Sequence, residues 1–446
     1  MRRADDLASF LAALGDIPHS TDPALCAQRS RDFHWFSPIL RESLRGRVAE
    51  ALVAPRTEAE VIRVARAAAR HRLPLTCRGA GTGNFGQAVP LKGGAVLDLS
   101  DLKGIRTLDP FRLRAAAGET LLALDRAAQA QARAELRIHP STRRTATLGG
   151  FIAGGHAGVG SVTWGILRDP GNILAIRIVT AEEEPRVREI TGPAIETVHH
   201  AYGVNGIITE VEMPLTRAEA WVECVLAFAT FADAARFGLA LASADGMVKK
   251  LVSPIAAPLT RFFGPLRAAC PDGAAVVLAM VAEPSLAALR DLAAEMGGVV
   301  TLEAAEGEGP EQIPLYEYAW GHTHFHAIKA DRRHTYLICI FPPGGHAGDD
   351  RARGGGTRPR TLDASRVRAL RRTADGARRS RPSLRGARAA RPPHRCAGAA
   401  RLQGRQRPYL LPAERRDEAH RRGADRLPPR DRPLWLAQPR QDRGRR

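Results

Sequence analysis

Long apolar runs are missing from this sequence: none of eighteen residues occurs in its 446, so no membrane-spanning helix is expected. The start, Met1-Arg2-Arg3-Ala4-Asp5-Asp6, carries acids and no long apolar core. A secretory leader is therefore not expected, and a cytoplasmic location is. Cysteine is scarce. Cys26, Cys77, Cys224, Cys270, Cys339 and Cys396 share no Cys-x-x-Cys spacing, so neither a zinc site nor a disulfide framework is indicated, and no metal is expected. Lysine is absent from the last stretch of the chain. Asp350 to Arg446 holds 29 arginines, no lysine and 9 acids, while Met1 to Asp349 holds 37 basic and 38 acidic residues. A formal charge of +19 ordinarily raises nucleic acid as a partner. Here the body is neutral and only the tail is basic, so no specific nucleic-acid partner is expected. The length suffices for two or three domains with a sizeable core.

Glycine, by contrast, is abundant and clustered. Arg78 to Gly86 reads Arg-Gly-Ala-Gly-Thr-Gly-Asn-Phe-Gly and follows Leu73 to Thr76, a short apolar segment suited to a strand. Such glycines allow positive φ and bring backbone N–H groups close to an anion, and Arg78 could add charge at that rim. A second run, Thr147 to Gly165, has matching character. One glycine-rich loop is weak evidence, since tight turns look the same, but two in one chain suggest a pyrophosphate cradle. Leu148 to Gly160 holds too many glycines for a stable helix and too few polar side chains for a solvated linker. Its backbone is expected to pack against something flat. Asn172 to Thr180 and Ile207 to Val211 then read as buried strands.

These residues carry a resemblance. Arg-Gly-x-Gly-Thr, Thr-Leu-Gly-Gly, Trp-Gly-x-Leu-Arg-Asp and Gly-x-Asn-Gly-Ile-Ile-Thr-Glu, in that order between Ala51 and Leu215, resemble the FAD-binding domain of the vanillyl-alcohol oxidase/p-cresol methylhydroxylase (PCMH) family, which includes glycolate oxidase and D-lactate dehydrogenase-like flavoproteins. The resemblance implies that Arg78, Gly79, Ala80, Gly81, Thr82 and Gly83 hold the FAD pyrophosphate. It implies that Pro140, Thr147, Gly149, Gly150 and Ala153 line the flavin and ribityl chain, and that Ile207 and Ile208 offer backbone contacts. It also implies a two-subdomain α+β fold rather than a Rossmann domain; consistently, the spacing does not fit the dinucleotide fingerprint with an acidic residue about twenty positions on. Some relatives attach flavin to a histidine in the first loop. Asn84 and Phe85 stand there instead, so the FAD is expected to be non-covalent. His156, in the second loop, either faces the cofactor or is satisfied by backbone.

Elsewhere, Val61, Val64, Ala65 and Ala68 recur at helical spacing, with Thr57 as N-cap and Glu60 completing a capping box. Residues 216 to 340 alternate strand-like runs, Val222 to Phe228, Ala275 to Val281 and Gly298 to Leu302, with helical stretches at Phe231 to Ala244 and Pro284 to Met296. That order suits an α/β cap over the flavin. Its richest polar cluster runs from Tyr316 to His326. In an extended segment His322, His324 and His326 would share one face. They suit a metal, a catalytic wall that removes a hydroxyl proton, or ordinary packing. Relatives often show Trp-x-His-Thr-x-x-His here, resembling Trp320, His322, Thr323 and His326. The resemblance makes His322 and His326 candidates for acid/base work and substrate orientation, with Arg333 or Lys329 to pair a substrate carboxylate.

Beyond about Pro342 arginine, alanine, glycine and proline dominate without periodicity. A disordered basic arm, a structured arginine-rich domain, and translation in the wrong frame of a GC-rich gene each fit such a composition. Codons exist for Pro433 to Asp442 that, one base shifted, encode Pro-Tyr-Gly-Trp-Leu-Asn-Pro-Gly-Lys, similar to the ending of this flavoprotein family. Glu414 to Ala419 admits Asn-Gly-Gly-Met-Lys in the same frame. Two ordered matches favour a frameshift near residues 341 to 350.

The expected organisation is an N-terminal segment over 1–45, a PCMH-type FAD domain over 46–216, an incomplete substrate domain over 217–342 and a disordered or out-of-frame tail over 343–446. The expected function is an FAD-dependent oxidoreductase that oxidises a small hydroxy acid or alcohol and passes electrons to an unknown acceptor. The alternative is a catalytically impaired or truncated flavin-binding protein with a basic interaction tail.

Overall fold

A computed structural model describes residues 2–336; the arginine-rich tail and its frame lie outside them. The fold is α+β, as expected. A helix over Glu58–Arg70 has Thr57 as its N-cap: the Glu60 N–H donates to Thr57 Oγ1 at 3.2 Å, and the Thr57 N–H to Glu60 Oε2 at 3.3 Å. Val61, Val64, Ala65 and Ala68 are buried on its inner face. Thr57→Ala is expected to lower stability by about 1 kcal/mol, read as a lower urea midpoint at unchanged slope.

This helix lies beside a four-stranded sheet ordered His19–Ser20, Ala51–Val53, Ala95–Asp98, Leu75–Arg78, its last three strands parallel. A six-stranded antiparallel sheet follows: Ile105–Leu108, Arg112–Ala116, Ile207–Arg217, Ala175–Val179 and Val187–Thr191, with Ala134–Leu136 pairing the far end of Ile207–Arg217. Arg177 and Glu58 join the two layers by a bidentate pair at 2.8 and 2.9 Å, and Thr209 Oγ1 donates to the same carboxylate at 2.7 Å.

The second half is one antiparallel sheet, ordered Lys249–Ile255, Ala275–Ala282, Trp221–Phe228, Val299–Ala305. Every residue of Ala275–Ala282 is buried, because helices Phe231–Ser243 and Leu286–Glu295 cover one face while Leu259, Phe263, Tyr316 and Tyr318 pack on the other.

Two local expectations need correction. Leu148–Gly154 is a helix despite its glycines. Thr147 caps it, the Gly150 N–H donating to Thr147 Oγ1 at 3.2 Å. A Cβ on Gly149 would lie 2.6 Å from Ala117 Cβ, so glycine permits the close contact with the sheet that holds the turn together. Likewise Gly321–Ala330, which carries the three histidines, is helical rather than extended. His322 and His326 therefore share a face and His324 points elsewhere.

Candidate functional site

Strand Leu75–Arg78 ends in the first glycine loop, and the Leu148–Gly154 helix begins directly against it. A Cβ on Gly79 would meet Thr147 Oγ1 at 2.1 Å and Gly150 Cα at 3.6 Å. The two glycine runs thus touch through their smallest residues. Between them and strand residue Ile208 opens a cavity of about 240 Å³. Arg78, Gly79, Ala80, Gly81, Thr82, Gly83, Pro140, Thr147, Gly149, Gly150, Ala153 and Ile208 all line it. Ile207 does not; its side chain is buried in the core, in register with Val179.

The backbone N–H groups of Gly79 to Asn84 have no hydrogen-bond partner among the described residues. Six consecutive donors beside a cavity form a nest for anionic oxygens. That is the feature a pyrophosphate needs, and these residues fit one.

Arg78 plays a different part from the one expected. Its guanidinium turns away from the rim, donating to the carbonyls of Arg29 at 3.1 Å, Arg31 at 2.6 Å and Ala80 at 3.2 Å. A Cβ on Gly81, where φ is 70°, would lie 2.1 Å from it. Arg78 is thus a buried staple beneath the loop, and the anion-facing groups are backbone. The N-terminal segment is stapled to the loop a second time, because the Phe33 N–H donates to Gly83 O at 2.8 Å.

The catalytic candidates stand apart from the cavity lining. Arg333 is forked onto Asp331 at 2.8 to 3.1 Å and its side chain is 67% exposed. His326 stacks on Tyr318 at 4.8 Å, with Nε2 3.1 Å from Glu317 O. His322 lies 6.1 Å, ring to ring, from Phe325, which packs on Phe33 and Phe36. The histidine linked to the lining is His324: its ring stacks on Tyr336 at 3.6 Å, and the Tyr336 hydroxyl accepts from Asn84 Nδ2. No group of His, Cys, Asp or Glu suited to a metal ion occurs among the described residues.

Several lining residues had no cofactor contact assigned to them from the sequence. Asp32, Asn84, Thr142, Gly154, Gly155, Tyr202 and Gly203 also face the cavity. Gly203, the first glycine of the Gly-x-Asn-Gly-Ile-Ile-Thr-Glu motif, adopts φ 74°, and a Cβ there would lie 3.0 Å from Cys77 Cβ, a contact between segments far apart in the chain. His156 sits behind this wall, 5.9 Å from His200 ring to ring.

Burial keeps several imidazoles neutral. His199 and His324 are each pushed down to about 3, first by desolvation and then by neighbouring positive groups; His139, fully buried, is lowered as well. Below about pH 6.5 the unfolded chain binds protons that the native chain refuses, so these groups add stability above that pH. It is lost as pH falls toward their native values, by roughly 2 kcal/mol per histidine between pH 6.5 and 5. The expected result is a urea midpoint clearly lower at pH 5 than at pH 7.5; equal midpoints would show these rings protonated in the native state.

A two-layer α+β unit with a glycine nest at the junction of its layers defines a dinucleotide-cofactor cradle outside the Rossmann class. Residues 49–186 match the family described as FAD binding domain. The chain is 25% identical over 194 residues to glycolate oxidase subunit GlcD of Bacillus subtilis, covering 42% of this chain and 41% of that protein. To the Escherichia coli protein of the same name it is 27% identical over 207 residues, covering 44% and 40%. A solved structure of alkyldihydroxyacetonephosphate synthase superposes with TM-score 0.58 at 15% identity, covering 74% of this chain and 65% of that one. The chain matches about two fifths of the length of its curated relatives. The match over residues 49–186 gives the chain an FAD-binding domain, and its cofactor is FAD.

Proposed function

We propose that the chain oxidises a small hydroxy acid or alcohol, with FAD as the hydride acceptor. The observation that carries this is the convergence of both glycine runs and six free N–H donors on one cavity. The glycolate oxidase name of the sequence relatives supports the substrate class. FAD supplies the two-electron redox step; the chain's own residues hold its phosphates, exclude water and manage the proton. Loop residues 79–84 hold the pyrophosphate by backbone, while Pro140, Thr147, Gly149, Gly150, Ala153 and Ile208 form the wall beside it. Attachment is non-covalent in this proposal. The cavity lining contains no histidine, and burial pushes the thiol of Cys77, the cysteine in it, up to about 12.

The proton is taken by the Gly321–Ala330 helix, where His322 and His326 stand one turn apart, with burial lowering both. A depressed pKa keeps an imidazole unprotonated and able to accept a substrate hydroxyl proton at neutral pH. FAD-loaded protein mixed anaerobically with small 2-hydroxy acids and alcohols is expected to bleach with at least one of them. His326→Ala is expected to slow that bleaching at least tenfold while retaining FAD. The partial match to the relatives favours a second possibility, a flavin-binding chain without turnover. Bound FAD that no member of the panel bleaches would establish it.

A further inference from the structure

Segment 197–205 crosses the end of the Leu148–Gly154 helix and is held there by several contacts. The His200 N–H donates to Ile152 O at 3.0 Å, the Tyr202 N–H to Ala153 O at 2.9 Å, and Asn205 Nδ2 to Thr197 O at 2.6 Å, while Gly203 presses on Cys77. Within this frame Tyr202 lies in the left-handed region, at φ 55°. For a bulky side chain that conformation is costly; it persists where surrounding contacts enforce it, and such residues cluster at ligand sites. Here Tyr202 lines the cavity. Its Cδ1 lies 3.9 Å from where a Gly154 Cβ would stand, and its ring meets His200 edge-on at 5.2 Å.

Much of the other polar lining is committed to the protein. Thr147 Oγ1 caps a helix, Gln87 Oε1 accepts from the Phe85 N–H at 2.9 Å, Asn84 Nδ2 is bound to Tyr336, and Asp32 Oδ1 accepts from the His34 N–H at 2.9 Å. The Tyr202 hydroxyl makes no hydrogen bond among the described residues and is not sealed among buried atoms, so it is open to an occupant of the cavity. Burial pushes the phenol up from its ordinary value; at neutral pH it is uncharged and donates. The N–H groups of residues 79–84 already serve the phosphates. A neutral donor carried on a flat aromatic ring fits a different part of a ligand, an acceptor atom on the edge of an uncharged planar heterocycle.

We propose that Tyr202 is a ligand-contacting residue of the cradle, its hydroxyl donating to a carbonyl oxygen or ring nitrogen of a heterocycle of the bound FAD. Two parts of FAD share that chemistry, the isoalloxazine and the adenine. The inference rests on FAD occupying this cavity and not on the oxidase reaction. Gly154 belongs to the same arrangement: a Cβ there would touch both Tyr202 and Gln87 Nε2, the latter at 3.6 Å, so glycine keeps the space beside the phenol open.

The test uses the full chain as wild type, Tyr202→Phe and Tyr202→Asn, the last because asparagine tolerates positive φ; circular dichroism melting confirms folding. Flavin-free protein is titrated with FAD, affinity being read from flavin fluorescence and the surroundings of the ring from the visible bands of the bound cofactor. Tyr202→Phe keeps the ring and removes the hydroxyl, so about tenfold weaker binding is expected, the upper range for one hydrogen bond, with a larger loss in Tyr202→Asn. Shifted visible bands place the hydroxyl at the isoalloxazine; weaker binding with wild-type bands places it at the adenine. Wild-type affinity and wild-type bands in folded Tyr202→Phe overturn the proposal, even where Gly79→Val abolishes binding and so upholds the cradle. A wild-type chain that takes up no FAD overturns both. No substrate is added, so a flavin that no hydroxy acid or alcohol bleaches touches only the oxidase proposal.

Discussion

Gly79→Val is expected to abolish FAD binding in a chain that still folds. The added Cβ would lie 2.1 Å from Thr147 Oγ1, a distance no packed side chain tolerates. Thr147 cannot simply rotate away, because its Oγ1 caps the neighbouring helix through the Gly150 N–H. Losing that cap costs about 1 kcal/mol, a minor part of a domain's stability. The larger effect is steric: two valine methyl groups fill the seam between the glycine runs, next to the free N–H groups of residues 79–84. A hundredfold weaker affinity, about 2.7 kcal/mol, is the minimum expected from flavin-fluorescence titration. Wild-type affinity in this variant would place the cofactor elsewhere.

The second large effect concerns the junction of the two halves. Glu135, on Ala134–Leu136, lies 3.0 Å from Lys250 Nζ, with both side chains under 4% exposed. Trp221 Nε1 donates to both carboxylate oxygens, at 3.1 and 2.9 Å. Glu135 belongs to the sheet around the cofactor site, whereas Lys250 and Trp221 belong to the second sheet. Burial raises the Glu135 carboxyl and Lys250 pulls it back. Lys250→Met leaves a buried carboxylate with one indole donor, and a loss of about 3–5 kcal/mol is expected. Replacing both partners, Glu135→Leu with Lys250→Met, is expected to recover most of it, since paired buried charges are seldom worth more than apolar packing. Urea unfolding of the two single variants and the double variant closes the cycle. Additive losses would show that the pair is not coupled.

Local signals in the sequence carried much of this structure. Thr57 and Glu60 state a helix start within four residues, and the apolar runs Val222 to Phe228 and Ala275 to Val281 fall within one residue of strands Trp221–Phe228 and Ala275–Ala282. Lys249–Ile255 escaped notice because Pro254 and two adjacent lysines contradict a strand; Lys250 is tolerated there only because Glu135, more than a hundred residues away, faces it. The glycines of Leu148–Gly154 argue against a helix on propensity, yet contact with Ala117 and the Thr147 cap outweigh that preference. In Gly321–Ala330 the alternating histidines imitate a strand. At the cavity, the glycine motifs named most of the lining because backbone freedom is a local property. Gly203 stands in one of the quoted motifs, yet its contact with Cys77, like the position of Tyr202, is set by packing between distant segments.

The segment Phe33–Phe36 bears on both sides of the molecule. Its first amide is bound to Gly83 in the cofactor loop, while Phe33 and Phe36 rest on Phe325, and Phe36 meets His324 edge-on at 5.2 Å. Trp35 sits within this segment, 4.4 Å from Phe36. The segment thus touches both the cofactor loop and the histidine helix within a single turn of chain, with an indole at its midpoint. Excited at that indole, the protein is expected to change its emission as FAD is added, an internal signal standing between the loop that faces the cofactor cavity and the helix proposed to move the proton.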